Sequence, residues 1–346
     1  MTKAIDQMME QAVERGIFPS SSLLVGREGE IIFEKHYGKA RSGTCFDIAS
    51  LTKPIATATL AMQFAQEGLL KLTDTVYQWL GGARLPAHRE MMVAYLLSHA
   101  SGLPAWKPYY RELPTTCVGT KEGKDHIVQA CLKEPVVFKP GTQCVYSDLG
   151  FIILGEILEQ AGSASLDVLF QNRIAKTLGL KDTFFIRNAE STVHSPQSIV
   201  QKKRFAPTED CPWRKKVVCG EVHDQNAYAM GGVAGHAGLF STTTDLHAYI
   251  SHQFTQLRTL NFELRTPSTY VLGWDTPTFG QSSSGSYFSP HSIGHLGYTG
   301  CSMWIDLDKN FWVVLLTNRI HPSSTNEKIK AFRPKIHNLI WKELNA

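Results

Sequence analysis

The sequence predicts an α/β (α+β) fold: an antiparallel sheet flanked by helices, built from both termini, with an all-helical domain inserted between them. Three observations point to it. β-prone runs gather near the two ends, at residues 22–37 and 271–318. Between residues 69 and 249 such runs are scarce, and helical periodicity alternates with Gly/Pro loops. Amphipathic helices open and close the chain. The expected division is a sheet domain of residues 1–66 and 255–346 around a mainly helical insert of 67–254, together one unit.

Taken in order, Ile5, Met8, Met9, Ala12 and Val13 recur at helical spacing, and Gly16 ends that helix. Residues 22–26 and 31–37 flank Arg27-Glu28-Gly29-Glu30 as an antiparallel hairpin. An apolar, small-residue run follows from Phe46 to Phe64, with Ile55, Ala58 and Met62 among residues apolar or small on most sides. A helix of that kind is buried. Pro54 falls in its first turn, where a missing N–H costs least. Further helices are expected at residues 89–98, 124–133, 150–160 and 166–178, and residues 187–217 read as a polar surface loop. Strands are expected at 271–274, 302–306 and 311–318, the last two flanking Leu307-Asp308-Lys309-Asn310. Ile329, Phe332, Ile336, Leu339 and Ile340 share one face of a closing helix that contains Pro334.

Composition narrows the function classes. The 346 residues are 43% hydrophobic and 19% charged, which fits a globular protein with a sizeable core. A net charge of +4 supplies no concentrated basic face for nucleic acid, and Lys202-Lys203-Arg204 reads as solvated loop. No run of about 18 apolar residues suggests a membrane span, and residues 1–6 lead into no signal-peptide core. Seven scattered cysteines without C-x-x-C read as thiols in a reducing compartment. A cytoplasmic location is therefore expected, or a periplasmic one if a leader is absent from this sequence. In an exported protein a Cys211–Cys219 bridge could form.

Three elements carry chemistry. The first is Ser50-Leu51-Thr52-Lys53, the one S-x-x-K of the chain, at the mouth of the buried helix. Residues three apart share a helix face, so Lys53 can take the proton of a Ser50 nucleophile. A chain this long holds roughly one S-x-x-K by accident, and a solvated pair is the plain alternative. The second is Tyr146-Ser147-Asp148, after the turn Pro140-Gly141 and before a helix. A phenol of depressed pKa could serve as general base or acid; a core tyrosine with Asp148 as N-cap is the structural alternative. The third is Gly294-His295-Leu296-Gly297-Tyr298-Thr299-Gly300, leading into a strand, where glycines admit a ligand close to the backbone.

In this order and spacing the elements resemble the serine β-lactamase and penicillin-binding superfamily, in its class C-like branch of class C β-lactamases, D,D-carboxypeptidases and family VIII esterases. The match is S-x-x-K at Ser50 and Lys53, Y-x-N at Tyr146-Ser147-Asp148, and K-T-G at His295-Leu296-Gly297. Leu96-Leu97-Ser98-His99-Ala100-Ser101-Gly102-Leu103, Phe138-Lys139-Pro140-Gly141, Gly235-His236-Ala237-Gly238-Leu239-Phe240-Ser241, Asp245-Leu246 and Leu315-Leu316-Thr317-Asn318-Arg319 also look like this branch.

The resemblance implies a β-lactamase/transpeptidase-like fold and a serine hydrolase. Ser50 would be acylated, Lys53 and Tyr146 would share proton transfer, and the backbone N–H groups of Ser50 and Tyr298 would form the oxyanion hole. Asp148, His295 and Gly297 would support or bind substrate, and neither metal nor organic cofactor is needed. The substrate would be a small molecule or peptidoglycan peptide, with no nucleic acid. β-Lactamase, D,D-carboxypeptidase and esterase readings share these residues, and a sensor or scaffold that acylates without turnover is a further alternative. Asp148 stands where many relatives have Asn, and should favour the Lys53 ammonium, shifting the burden to Tyr146. His295 replaces Lys; a neutral imidazole holds a carboxylate less well, which favours esters or uncharged acyl groups. Residues 220–227 carry polar groups that could line the cleft or order a loop.

Overall fold

The hairpin predicted near the N-terminus comprises β1 (Ser20–Arg27) and β2 (Glu30–Gly38), turning through Glu28 and Gly29 at φ 52° and 89°. The structure, a computed structural model, describes residues 2–81, 85–188, 204–259, 269–278 and 280–344. Five later strands extend this hairpin: β8 (Tyr270–Val271), β9 (Trp274–Asp275), β10 (Ser292–Leu296), β11 (Ser302–Asp306) and β12 (Phe311–Thr317). The antiparallel order is β2-β1-β12-β11-β10-β9-β8, so chain start and chain end meet where Leu23 pairs with Leu315. The expected strand at 271–274 is in fact two short ones. Leu272 and Gly273, at φ 47° and 91°, reverse the chain there.

Period-2 alternation divides the sheet between two cores. Leu23, Val25, Val313 and Leu315 face Ile5 and Met9 of the helix Lys3–Glu14 and Ile329, Ile336 and Ile340 of the helix Ile329–Leu344. Leu24, Val314 and Leu316 join the opposite core, with Ile55, Phe64 and Ile250. Each such side chain, fully buried, contributes roughly 1.5–3 kcal/mol of transfer free energy. The helix Thr243–Leu257 covers this second face, packing on β1 and β12. Nothing in the sequence reading anticipated it, and a boundary at residue 254/255 would cut through it. The middle of the chain carries the helices Lys121–Lys133 and Asp148–Gly162, with short strands among them. β3 (Phe46–Asp47), β7 (Leu239–Ser241) and β4 (Phe184–Phe185) form a small sheet, and β5 (Asp210–Cys211) pairs with β6 (Lys216–Val217). Of the expected polar loop at 187–217, residues 189–203 lie outside the described residues. Part of the remainder is buried rather than exposed, including Ala206, Thr208 and Glu209. None of the seven cysteines is in a disulfide, and no single described helix is long and apolar enough to cross a membrane.

The Ser50 segment is less regular than its pattern suggests. A 3-10 turn, Ala49–Leu51, runs into a π-helical stretch, Lys53–Ala58, before the α-helix Thr59–Gln66. Such wide turns recur at functional sites. Behind it Thr57 Oγ1 donates to Gly235 O at 2.6 Å. A Cβ on Gly235 would meet Phe151 O at 2.2 Å, so only glycine lets this segment touch the Asp148–Gly162 helix. Gly235→Ala is expected to cost about 1–3 kcal/mol by overpacking, read as a lower urea midpoint; an unchanged midpoint would show that the contact yields freely.

Candidate active site

The start of the Ser50 segment is held by its own neighbours. Asp47 Oδ1 accepts from Ala49 N at 2.8 Å and Oδ2 from His223 N at 2.6 Å. Ala49 sits at φ 47°, a left-handed conformation rare for alanine, immediately before Ser50. One turn on, Lys53 is wholly buried. Its Nζ donates to Ser50 Oγ at 2.9 Å and to His236 O at 3.0 Å, and lies 2.6 Å from Asp148 Oδ1. These partners use the three donors of an ammonium. Ser147, not Asp148, caps the following helix, accepting from Gly150 N at 3.2 Å. That leaves the Asp148 carboxylate to face Lys53.

Burial pushes the Lys53 pKa below its ordinary value, and the Asp148 carboxylate only opposes this. Asp148 favours the ammonium as expected, but desolvation of the fully buried amine is the larger effect and the net shift is downward. For Tyr146 the expectation is corrected. Burial first, then Asp148, push its phenol well above the ordinary value, so at rest it carries its proton. The Lys53 Nζ lies 4.9 Å from the centre of the Tyr146 ring.

His295 and Gly297 lie at the end of β10 as anticipated, but in different roles. Burial, with Lys53 nearby, pushes the His295 pKa down to about 3, so the ring is neutral at any ordinary pH. Its Nδ1–H donates to Leu296 O at 2.8 Å. Gly297 brings the turn against the nucleophile, because a Cβ there would lie 2.5 Å from Ile48 O. Thr299 Oγ1 ties the same turn to Asp47 O at 2.7 Å. The turn that carries Tyr298 is thereby held against the residues just before Ser50, and the backbone N–H groups of Ser50 and Tyr298 make no backbone hydrogen bond among the described residues.

These groups border a cleft of about 730 Å³ that is also lined by His223 and Asp224 of the 220–227 segment, by His236 and Arg319, and by Glu209, Ser324 and Arg333, which the sequence reading did not single out. His236 Nε2 hydrogen-bonds Asp224 Oδ1 at 2.9 Å. Burial would raise the Asp224 carboxyl, but His236 and the Ala227 N–H hold it below the carboxylate range. His223 bonds Glu209 at 3.0 Å and stacks on Tyr298; together with Ser324 it holds Glu209 down to about 2. At the far end lie Arg319 and Arg333, 5% and 4% exposed, with no carboxylate within ion-pair distance among the described residues. Arg319 Nε donates to Tyr298 O at 3.0 Å and Arg333 Nη2 to Gly300 O at 2.9 Å, while Arg333 Nε has no partner. A signal for Arg333 was present but passed over: it is a charged residue on the apolar face of its helix, four after Ile329 and three before Ile336. No described group of three or more His, Cys, Asp or Glu side chains has metal-binding geometry.

Comparison with known proteins follows this geometry. The Beta-lactamase family description matches residues 5–334. A Salmonella typhimurium protein provisionally named D-alanyl-D-alanine carboxypeptidase is 29% identical, over 94% of this chain and 84% of its own. The octameric penicillin-binding protein homologue from Pyrococcus abyssi superposes with TM-score 0.72 at 19% identity, covering 98% of this chain and 77% of that one. EstCE1, a hydrolase with promiscuous acyltransferase activity, gives 0.69 at 21%, covering 96% and 98%. At these identities the two structures speak to the fold.

Two outcomes follow from the charges. Asp148→Asn removes the group that favours the Lys53 ammonium, so the amine is neutral to lower pH. Acylation at pH 7 should be kept or improved, with the acid limb of its pH profile moved down. A loss beyond about tenfold, or ~1.4 kcal/mol of barrier, would refute this. Binding of carboxylate-bearing compounds should show no His295 titration from pH 5 to 8; a step that disappears in His295→Gln would contradict the assignment of a neutral ring.

Proposed function

The chain belongs to the β-lactamase family, and we propose that it is a serine acyl hydrolase working through an acyl-enzyme at Ser50. The observation that carries this is the buried Lys53 amine 2.9 Å from Ser50 Oγ. Ser50 Oγ adds to the substrate carbonyl as its proton passes to Lys53. The N–H groups of Ser50 and Tyr298 stabilise the oxyanion that develops only in the tetrahedral state. Tyr146, a phenol at rest, passes a proton to the leaving atom as the carbonyl re-forms, and is restored from Lys53. Water then adds to the Ser50 ester, giving its proton to the same pair, and releases the acid and the free hydroxyl.

The substrate we infer carries a carboxylate on its leaving-group side, as a D-Ala-D-Ala-type peptide or a β-lactam does. Neutral His295 cannot hold such a charge. Arg319 and Arg333, buried at the end of the same cleft without carboxylate partners, supply it instead. The carboxypeptidase name of the Salmonella relative agrees with this reading. An esterase of the same fold is the second reading, favoured by the uncharged imidazole on β10 and by the likeness to EstCE1.

Turnover of a chromogenic cephalosporin, a nitrophenyl ester and a D-Ala-D-Ala peptide, with intact-mass detection of the adduct, tests both. Wild type should label and turn over at least one, and Ser50→Ala none. An unlabelled Ser50 with no hydrolysis ends the proposal. Arg333→Met should raise KM for the carboxylate substrates about tenfold or more, since a charge-assisted hydrogen bond contributes ~1.5–3 kcal/mol. KM for the neutral ester should hardly move; equal changes for both would make Arg333 a structural residue.

A further inference from the structure

The proposed reaction makes no direct use of His99, yet His99 bonds the peptides on both sides of Tyr146 and packs on its ring. The segment 98–105 runs beneath the loop that carries Tyr146. His99 accepts there from both sides of the tyrosine: its carbonyl from Val145 N at 2.9 Å, its Nδ1 from Ser147 N at 3.0 Å. Its ring lies 4.4 Å from the Tyr146 ring and 4.6 Å from Tyr270. The residue is 1% exposed, and its Nε2 has no partner. Its backbone is at φ 55°, in the left-handed region where histidine, asparagine and aspartate are the non-glycine residues found most often.

A buried polar nitrogen without a partner and a left-handed backbone are each unfavourable, of the order of 1–3 kcal/mol in comparable cases. A leucine would be more strained at this φ and would leave the Ser147 N–H without its acceptor. What histidine offers is an acceptor aimed at the peptide just after Tyr146, on a ring flat enough to stack against the phenol. Because Nδ1 accepts, the proton of the neutral ring sits on Nε2. Burial, with Lys53 and His295 nearby, pushes the His99 pKa well below its ordinary value, so the acceptor is not lost to protonation.

We propose that His99 is a positioning residue for Tyr146: it fixes the peptides on either side of the tyrosine and the plane of its ring, so that the phenol stays aimed at Ser50. This rests on the acyl-enzyme reading of the site. It differs from a catalytic role, since His99 neither touches substrate nor moves a proton.

Three variants separate the side chain from the backbone. His99→Gly tolerates positive φ but removes acceptor and ring; His99→Asn tolerates the same φ and restores an acceptor; His99→Ala does neither. The probes are the rate of Ser50 labelling by a fluorophosphonate, followed by intact mass, and the Tyr146 13Cζ resonance, assigned by its loss in Tyr146→Phe. His99→Gly should label about tenfold or more slowly, with a displaced Tyr146 resonance and an altered pH profile of labelling. His99→Asn should recover to within about threefold of wild type, and His99→Ala should also lower the melting temperature. Wild-type labelling and resonance in His99→Gly would overturn the proposal, as would an Asn variant no better than Gly. If wild-type Ser50 does not label at all, the acyl-enzyme reading fails. The resonance then decides the positioning claim alone, by moving in Gly and returning in Asn, or not.

Discussion

The site depends on one buried amine. Removing an ammonium from water costs several kcal/mol even after relaxation, and the cost is offset only where every donor finds an acceptor. Lys53 finds three, on Ser50, His236 and Asp148. They lie on three separated parts of the chain, so the amine is solvated by protein only when the Ser50 segment, the glycine-rich turn at 235–238 and the Asp148–Gly162 helix have all assembled. Gly235 makes that assembly possible by having no Cβ to meet Phe151 O. The Ser50–Lys53 pair is therefore a product of the join between the terminal sheet and the middle of the chain.

That join also sets the division of labour between acid and base. Asp148 is close enough to hold Lys53 protonated, but burial acts on the charged form more strongly, and the net shift is downward. The same burial acts oppositely on a phenol, and Asp148 adds to it, so Tyr146 keeps its proton. One desolvated pocket thus moves the proton affinities of a lysine and a tyrosine apart, the amine downward and the phenol upward, the arrangement that separates a proton acceptor from a proton donor.

Much of this was legible in the sequence, and what was not has physical reasons. Ser50, Lys53, Tyr146 and His295 could be named because three short elements in order resemble a known family, each alone being ambiguous; the structure places Ser50, Tyr146 and His295 on one cleft with Lys53 buried against Ser50. The hairpin β1–β2 and β12 were readable from period 2. The helix Thr243–Leu257 was not, because its buried face includes Thr243, Asp245 and Gln253 beside Leu246, Tyr249 and Ile250, which blunts the apolar stripe. Glu209 was assigned to a surface loop on polarity alone. Its burial depends on His223 and Ser324, distant in sequence. The sign of the Tyr146 shift was misread for a similar reason: a sequence does not display the depth at which a phenol is buried.

The placement of positive charge completes the account. Where the family pattern has a lysine on the strand facing the nucleophile, this chain has His295, and Lys53 already helps to hold that ring neutral. Coupling between two sites is reciprocal, so a cation at position 295 would in turn disfavour the Lys53 ammonium. Anchoring charge and base strength would then be tied together. In this chain the cations stand further along the cleft, on Arg319 just past β12 and on Arg333 in the C-terminal helix. Although burial pushes the Arg333 pKa to about 10, the guanidinium stays charged at neutral pH. Arg319 and Arg333 also hold the carbonyls of Tyr298 and Gly300, in the turn that presents the Tyr298 N–H. On the proposed reading, a carboxylate settling on these guanidiniums would act on the turn that carries Tyr298 through those two carbonyls, whereas a cation at position 295 would act on Lys53 directly.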